Sequence, residues 1–248
     1  MMGLLETAIS GAARRTSHSH VVNEIGKAIV DGTYPVGSIL PGDSELAERF
    51  HVSRTVLREA MKTLSAKGLV VPRARIGTRV TESRQWNMFD ADVLAWHIDR
   101  GIDTSFVMHL SEMRLSFEPH AASLAAERAS PQNIEWLLAL SEDMVSARSH
   151  NELILADLRF HLTVLHASEN PFMYGVGTLI EAALIGAFGL SSPDVPSREV
   201  ETIGNSHRSI AEAIARGDGE AAAAAMRQVI LTGRDQALAR MQGPFVPD

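Results

Sequence analysis

Apolar residues recur three and four apart along most of the chain, while β-prone runs and turn signals are confined to residues 32–80. Val21, Ile25 and Ile29 predict an amphipathic helix over 18–31. Leu46, Ala47 and Phe50 predict a short second helix, which Asp43 or Ser44 can cap. After a tight turn at His51-Val52, Ser53 caps a third helix carrying Val56, Leu57, Ala60 and Leu64 at helical spacing. Gly68 ends that helix, and LVVPRARIGTRV reads as two short strands around a basic turn with Arg73, Arg75 and Arg79. Three helices and a β-wing within residues 1–80 predict a winged helix-turn-helix.

Beyond residue 103 the pattern is helical throughout, rich in Ala, Leu, Glu and Arg. Ser130-Pro131 reads as an N-cap followed by proline at the first helical position. Asn170-Pro171, Ser191 to Pro196 and Gly217-Asp218-Gly219 are breaks. About six helices are expected, over 104–128, 132–148, 151–168, 171–189, 198–216 and 219–241. The fold class is therefore mainly α: an N-terminal winged helix-turn-helix (1–80), a linker (81–102) and an all-helical bundle (103–241).

Charge follows the same boundary. The 248 residues sum to −7, yet residues 1–80 carry a net +4 and residues 81–248 a net −11. A basic first third suits a polyanion; the acidic remainder does not. The absence of cysteine excludes a disulfide framework, a Cys-based zinc finger and a thiol nucleophile. No uncharged apolar run approaches the ~18 residues of a membrane span. Glu6 interrupts the N-terminal apolar stretch and Arg14-Arg15 follow it, so a secretory signal is not supported and a cytoplasmic protein is expected.

Three constellations carry candidate chemistry. In the third helix Arg54 and Arg58 are four apart and project from one face, with Thr55 and Lys62 nearby. A helix so placed in a major groove presents its N-terminal residues to base edges and phosphates; the plainer reading is a solvated helix face. Asp157 and His161, also four apart, could bind a divalent ion with His207 from a later helix. Alone, the pair reads better as an ordinary helix-surface pair. Arg114 and Glu118 make a third such pair: either an exposed salt bridge of about 0.3–0.5 kcal/mol, or a guanidinium available to grip a carboxylate bidentately. The other histidines of the helical region, His109, His120, His150 and His166, read as surface or packed residues.

Enzyme signatures are weak. There is no P-loop, HExxH or GxSxG, and YGVGTLIEAALIG has Ile180 where a dinucleotide fingerprint needs its third glycine. A metal-dependent hydrolase or small-molecule binding protein built on Asp157, His161 and His207 stays open as the alternative.

The stretch VVNEIGKAIVDGTYPVGSILPGDSELAERFHVSRTVLREAMKTLSAKGLV closely resembles the N-terminal domain of GntR-family bacterial transcription regulators, over about residues 18–80. The resemblance implies DNA contact by Arg54, Thr55 and Arg58 and places the wing glycine at Gly77; Lys62, Arg75 and Arg79 complete the expected DNA-binding set. Ser44 stands where the family often has an arginine, so one DNA contact is expected to be missing. SEMRLSFEPHAASLAAERAS, ADLRFHLTVLHASENPFM and HRSIAEAIARGDGEAAAAAM resemble the all-helical FCD effector-binding and dimerisation domain of the FadR-like branch, over about 103–240. RQWNMFDADVLAWHID further resembles regulators of galactonate and related sugar-acid catabolism.

That resemblance implies effector binding by Arg114, with Glu118 as a positioning group, and a divalent metal (zinc, nickel or manganese) on Asp157, His161 and His207. A fourth family histidine would fall near position 229, where this chain has Val229. Either water and an effector carboxylate complete a three-ligand site, or the three residues bind the effector directly. The expectation is a ligand-responsive regulator, a homodimer on double-stranded operator DNA, released by a small organic acid, of which a sugar acid is favoured, with no membrane partner. Residues near 81–102 are expected to transmit the signal.

Overall fold

The structure, a computed structural model, describes residues 16–177, 179–181 and 197–241. The chain divides into two compact units, residues 16–101 and the described part of 102–241.

In the first unit, α1 (Ser17–Val30), α2 (Asp43–Arg49) and α3 (Arg54–Ala66) precede an antiparallel hairpin, β1 (Val70–Arg73) and β2 (Gly77–Val80). Thr16 caps α1 and Ser53 caps α3, each accepting a backbone N–H three residues on. The cap of α2 differs from expectation. Gly42 is its N-cap and makes no side-chain hydrogen bond, leaving Asp43 and Ser44 inside the first turn. Val21, Ile25, Ile29, Leu46, Leu57, Ala60 and Leu64 bury one apolar stripe from each helix in a shared core. Val70 pairs with Val80 at the base of the hairpin, and Arg73 with Gly77 at its tip.

Of the linker expected over 81–102, residues 81–101 pack with this unit. The 3-10 turn Ser83–Gln85 leads into α4 (Ala91–Arg100), and Trp86, Val93 and Trp96 enter the winged core. Two features of the N-terminal sequence make room for them. Gly26 leaves space on α1 for the Trp96 ring, which an added Cβ would approach to 2.3 Å, and the indole N–H donates to Asn23 Oδ1 at 3.1 Å. Lys67, the C-cap of α3, donates to both oxygens of Asp90 at 2.7 Å and reaches Asp92 at 2.8 Å. Burial would lower the Lys67 pKa, but its hydrogen bonds and the charges of Asp90 and Asp92 outweigh that and raise it. Asp90 is itself the N-cap of α4, so one ion cluster joins the end of α3 to the start of α4.

Gly68 closes the same seam. Its φ is +81°, and a Cβ there would lie 2.1 Å from the Gln85 carbonyl oxygen. Gly68→Ala therefore combines left-handed strain with a backbone clash, for an expected cost of about 3 kcal/mol or more. Thermal unfolding followed by the fluorescence of Trp86 and Trp96 measures it; an unchanged transition would show that the 81–101 segment is not held there.

The second unit contains α5 (Thr104–Arg128), α6 (Pro131–Val145), α7 (His150–Ala167), α8 (Pro171–Gly175), α9 (Arg198–Ala215) and α10 (Gly219–Met241). Five of the six expected helices have bounds within three residues of expectation. Of the sixth, expected over 171–189, only the start is observed; 182–189 lie outside the described residues, as does the break at Ser191–Pro196. A full capping box starts α6, with Ser130 and Asn133 bonding reciprocally. α5 packs along α10 and α7, and α6 along α9 and α7. Their shared core includes Leu137, Met144, Leu153, Phe160, Leu165, Ile210, Met226 and Ile230.

Candidate functional site

The first unit presents a basic surface. Arg54, Thr55 and Arg58 are exposed near the start of α3, and neither arginine is ion-paired among the described residues. Arg54 Nη2 donates to Ser44 Oγ at 3.1 Å. Lys62, two turns on, pairs with Glu59 at 2.8 Å. Arg75 is exposed in the hairpin turn with φ of 63°, and Gly77 follows with φ of 118°. A side chain at Gly77 would also press on Ile39, with Cβ 3.1 Å from its Cγ2. Arg79 turns back: its Nε donates to the Gly37 carbonyl at 3.1 Å.

The second unit holds a buried polar cluster. Arg114 and Glu118 on α5, Asp157 and His161 on α7, and His207 on α9 are all 8% exposed or less. Helical spacing explains the two intrahelical pairs. α5 packs on both α7 and α9, and α6 packs on both of them as well, which brings the three sets together. Arg114 grips Glu118 through Nε and Nη2, and its Nη2 also lies 3.2 Å from His161 Nε2. Glu118 Oε2 accepts from His161 Nδ1 at 2.6 Å. His207 Nδ1 lies 2.8 Å from the Ile203 carbonyl, which fixes the proton there. Its Nε2 then faces Asp157 Oδ1 at 2.9 Å and His161 Nε2 at 3.4 Å. Phe160 stands edge-on to both imidazoles, at 6.1 and 5.0 Å between ring centres.

The electrostatics of the cluster are self-consistent. Burial would raise the Glu118 pKa, but the charge of Arg114, and then that of His161, holds it at about 2. Burial would raise the Asp157 pKa too, but His207, together with the charges of His161 and Arg114, lowers it. Arg114, whose burial alone would weaken its hold on a proton, is raised by Glu118. Both imidazoles have Nδ1 engaged with an oxygen, so both direct Nε2 inward, toward a carboxylate and each other. A proton or a cation is needed among these acceptors.

The residues fit a metal ion. Asp157, His161 and His207 each offer a ligand atom within 4.8 Å of the others, and Asp157 Oδ2 is buried without a hydrogen-bond partner among the described residues. The Nδ1 bonds to Glu118 and Ile203 are the supports that orient ligating histidines. Val229 is half-buried on α10 and offers no ligand atom. Sequence reasoning missed three parts of the cluster: the Glu118–His161 bond, the Ile203 carbonyl and the Phe160 wall. Only the helical phase of Phe160, next to His161, pointed inward. An open, mainly apolar depression of about 500 Å³ between α6 and α7, lined by Trp136, Leu140, Leu162 and His166, contains none of the cluster residues.

Two family models match this chain. Residues 18–80 match the gntR family of bacterial regulatory proteins, and residues 109–232 match the FCD domain. The chain is a GntR-family regulator with an FCD domain. This GntR regulator is 34% identical over 215 residues to the transcriptional regulator YieP of Escherichia coli, covering 85% of this chain and 91% of that one. It is 32% identical over 203 residues to the galactonate operon transcriptional repressor of the same organism, covering 82% and 88%. Its fold is similar to that of Lar, which controls the agr system of Listeria monocytogenes, with a TM-score of 0.62, 22% identity, and coverage of 92% of this chain and 99% of that one.

The regulator's first unit is thus a DNA-binding domain and its second a ligand-binding effector domain. Its relatives regulate transcription, so the enzyme reading of Asp157, His161 and His207 gives way to a regulatory one. No described helix is long and apolar enough to cross a membrane.

Proposed function

We propose that this chain is a homodimeric repressor that leaves its operator when a small organic acid, a sugar acid foremost, enters the buried cluster of the FCD domain. The observation that carries this reading is the cluster itself. A buried guanidinium, three converging ligand atoms and an orphaned carboxylate oxygen form a receptor for a carboxylate bearing hydroxyls. The galactonate repressor among the relatives makes a sugar acid the first candidate.

In this reading Asp157, His161 and His207 hold a divalent ion, with zinc, nickel and manganese all compatible with His and carboxylate ligation. When bound, the ion supplies open positions for effector oxygens. Glu118 orients His161, and Ile203 orients His207. Arg114 supplies the charge that an organic acid needs, and its fork matches a carboxylate. Arg114 Nη2 lies 3.2 Å from His161 Nε2, so an ion held by His161 would compete with that contact and leave the guanidinium for an effector carboxylate.

Effector and operator are coupled thermodynamically. A ligand that weakens DNA binding by some factor, typically about 5- to 150-fold, is itself bound more weakly by that factor on DNA. In this reading residues 81–101, which the Lys67–Asp90 ion pair and Trp96 bind to the winged unit, carry the signal to it. A two-fold dimer suits palindromic half-sites.

A gel shift of the full-length protein on the duplex upstream of its own gene, titrated with galactonate and other sugar acids, tests the reading. Release by a sugar acid is the expected result; binding unchanged by every organic acid sinks it. Metal analysis of protein purified without chelator should find about one ion per chain, lost in His207→Ala. If His207→Ala keeps both ion and effector response, the pocket assignment is wrong.

A further inference from the structure

We infer that Ser44 is a specificity-determining positioning residue, which holds the Arg54 guanidinium so that its remaining donors address a single guanine of each operator half-site. The inference rests on the DNA-binding reading and adds a residue to it. Ser44 lies in the first turn of α2 and Arg54 is the first residue of α3, ten positions on. The turn between them is tightly built, with Val52 N–H donating to the Ala47 carbonyl at 3.0 Å and His51 at a φ of 53°. Across it, Arg54 Nη2 donates to Ser44 Oγ at 3.1 Å.

The Ser44 hydroxyl is free for this task, because Gly42 is the N-cap of α2 and that cap uses no side-chain bond. Its neighbours Asp43 and Glu45 are acidic, yet the acceptor that Arg54 meets is neutral. A carboxylate would orient the guanidinium but cancel the charge that attracts it to DNA. A hydroxyl orients it and leaves the charge intact. One Nη2 proton is engaged, and the other donors remain for the bidentate contact that arginine makes with guanine O6 and N7. An unrestrained arginine must give up rotamer freedom on binding; one already tethered gives up less. The serine at this position therefore adjusts how a neighbouring arginine reads.

The test uses the full-length protein and a pool of duplexes with a randomised centre, followed by titration of the most enriched duplex carrying a fluorophore. Ser44→Ala should weaken binding about three- to tenfold and flatten the guanine preference at one position per half-site, the position lost in Arg54→Ala. In an Arg54→Ala background, Ser44→Ala should change affinity less than twofold. Ser44→Thr, which keeps the hydroxyl, should restore the guanine preference. Equal weakening by Ser44→Ala in both backgrounds, or an unaltered base profile in the single variant, overturns the inference. Enrichment of no sequence by the wild-type protein would instead overturn the DNA-binding reading on which it rests.

Discussion

Replacing Arg54 and Arg58 together with alanine should lower affinity for the operator by about 30-fold or more at physiological salt, at about 1–3 kcal/mol for each base-reading arginine. Both side chains are exposed on α3, and the apolar stripe of that helix, Leu57, Ala60 and Leu64, lies on its other side. Alanine is a good helix former, so the thermal transition of the winged unit should stay within a degree or two of wild type. Metal content and effector affinity should not change, because the cluster lies in the other unit. Lys62→Ala should do much less, since Glu59 already neutralises that ammonium. Gel shift and fluorescence anisotropy over a range of salt concentrations check this. Specific binding retained within tenfold in the double variant would show that α3 does not read the operator.

Local signals explain what was legible beforehand. The Ser53 cap, the 3.6-residue stripe of α3 and the Gly68 stop lie within one short stretch, so that helix could be read with little reference to the rest of the chain. The Ser130 capping box fixed the start of α6 in the same way. Residues 81–101 resisted because what holds them is remote. Trp96 docks on Gly26, seventy positions earlier, and Lys67 reaches Asp90 and Asp92. Neither contact leaves a periodic trace. The cap of α2 misled for a related reason: Asp43 and Ser44 are both good caps, but Gly42 holds that position and Ser44 turns to Arg54 instead. In the cluster, the spacings of Arg114–Glu118 and Asp157–His161 placed each pair on one helix face. That spacing cannot report burial. The same Arg114–Glu118 pair that is worth a few tenths of a kcal/mol in water becomes a deeply buried ion pair here, with different consequences for mutation.

Glu118→Gln should destabilise the helical unit by about 3–5 kcal/mol at neutral pH, the cost of leaving a buried charge without its partner. The amide keeps the shape of the side chain but has one acceptor oxygen and no charge. It cannot serve Arg114 Nε and Nη2 together with His161 Nδ1. The effect has a pH signature. Glu118 titrates at about 2 in the folded chain against an ordinary value of 4.5. Its ionised form therefore contributes stability that is fully present above about pH 4.5 and is lost as pH falls toward 2. The gap between wild type and Glu118→Gln should accordingly be widest at neutral pH and close as pH falls through that window. Asp157, lowered in the same direction, persists in the variant, so Glu118→Gln keeps a weaker acid sensitivity of its own. Calorimetry of the full chain separates the contributions if the two units melt apart, because the winged-unit transition should not respond to this substitution. A gap that is the same at pH 7 and pH 3, or a variant as stable as wild type, would show that Glu118 does not neutralise Arg114. A carboxylate that neutralises Arg114 also restrains it. If Arg114 receives the effector as proposed, an organic acid entering the site must compete with Glu118 for the same guanidinium.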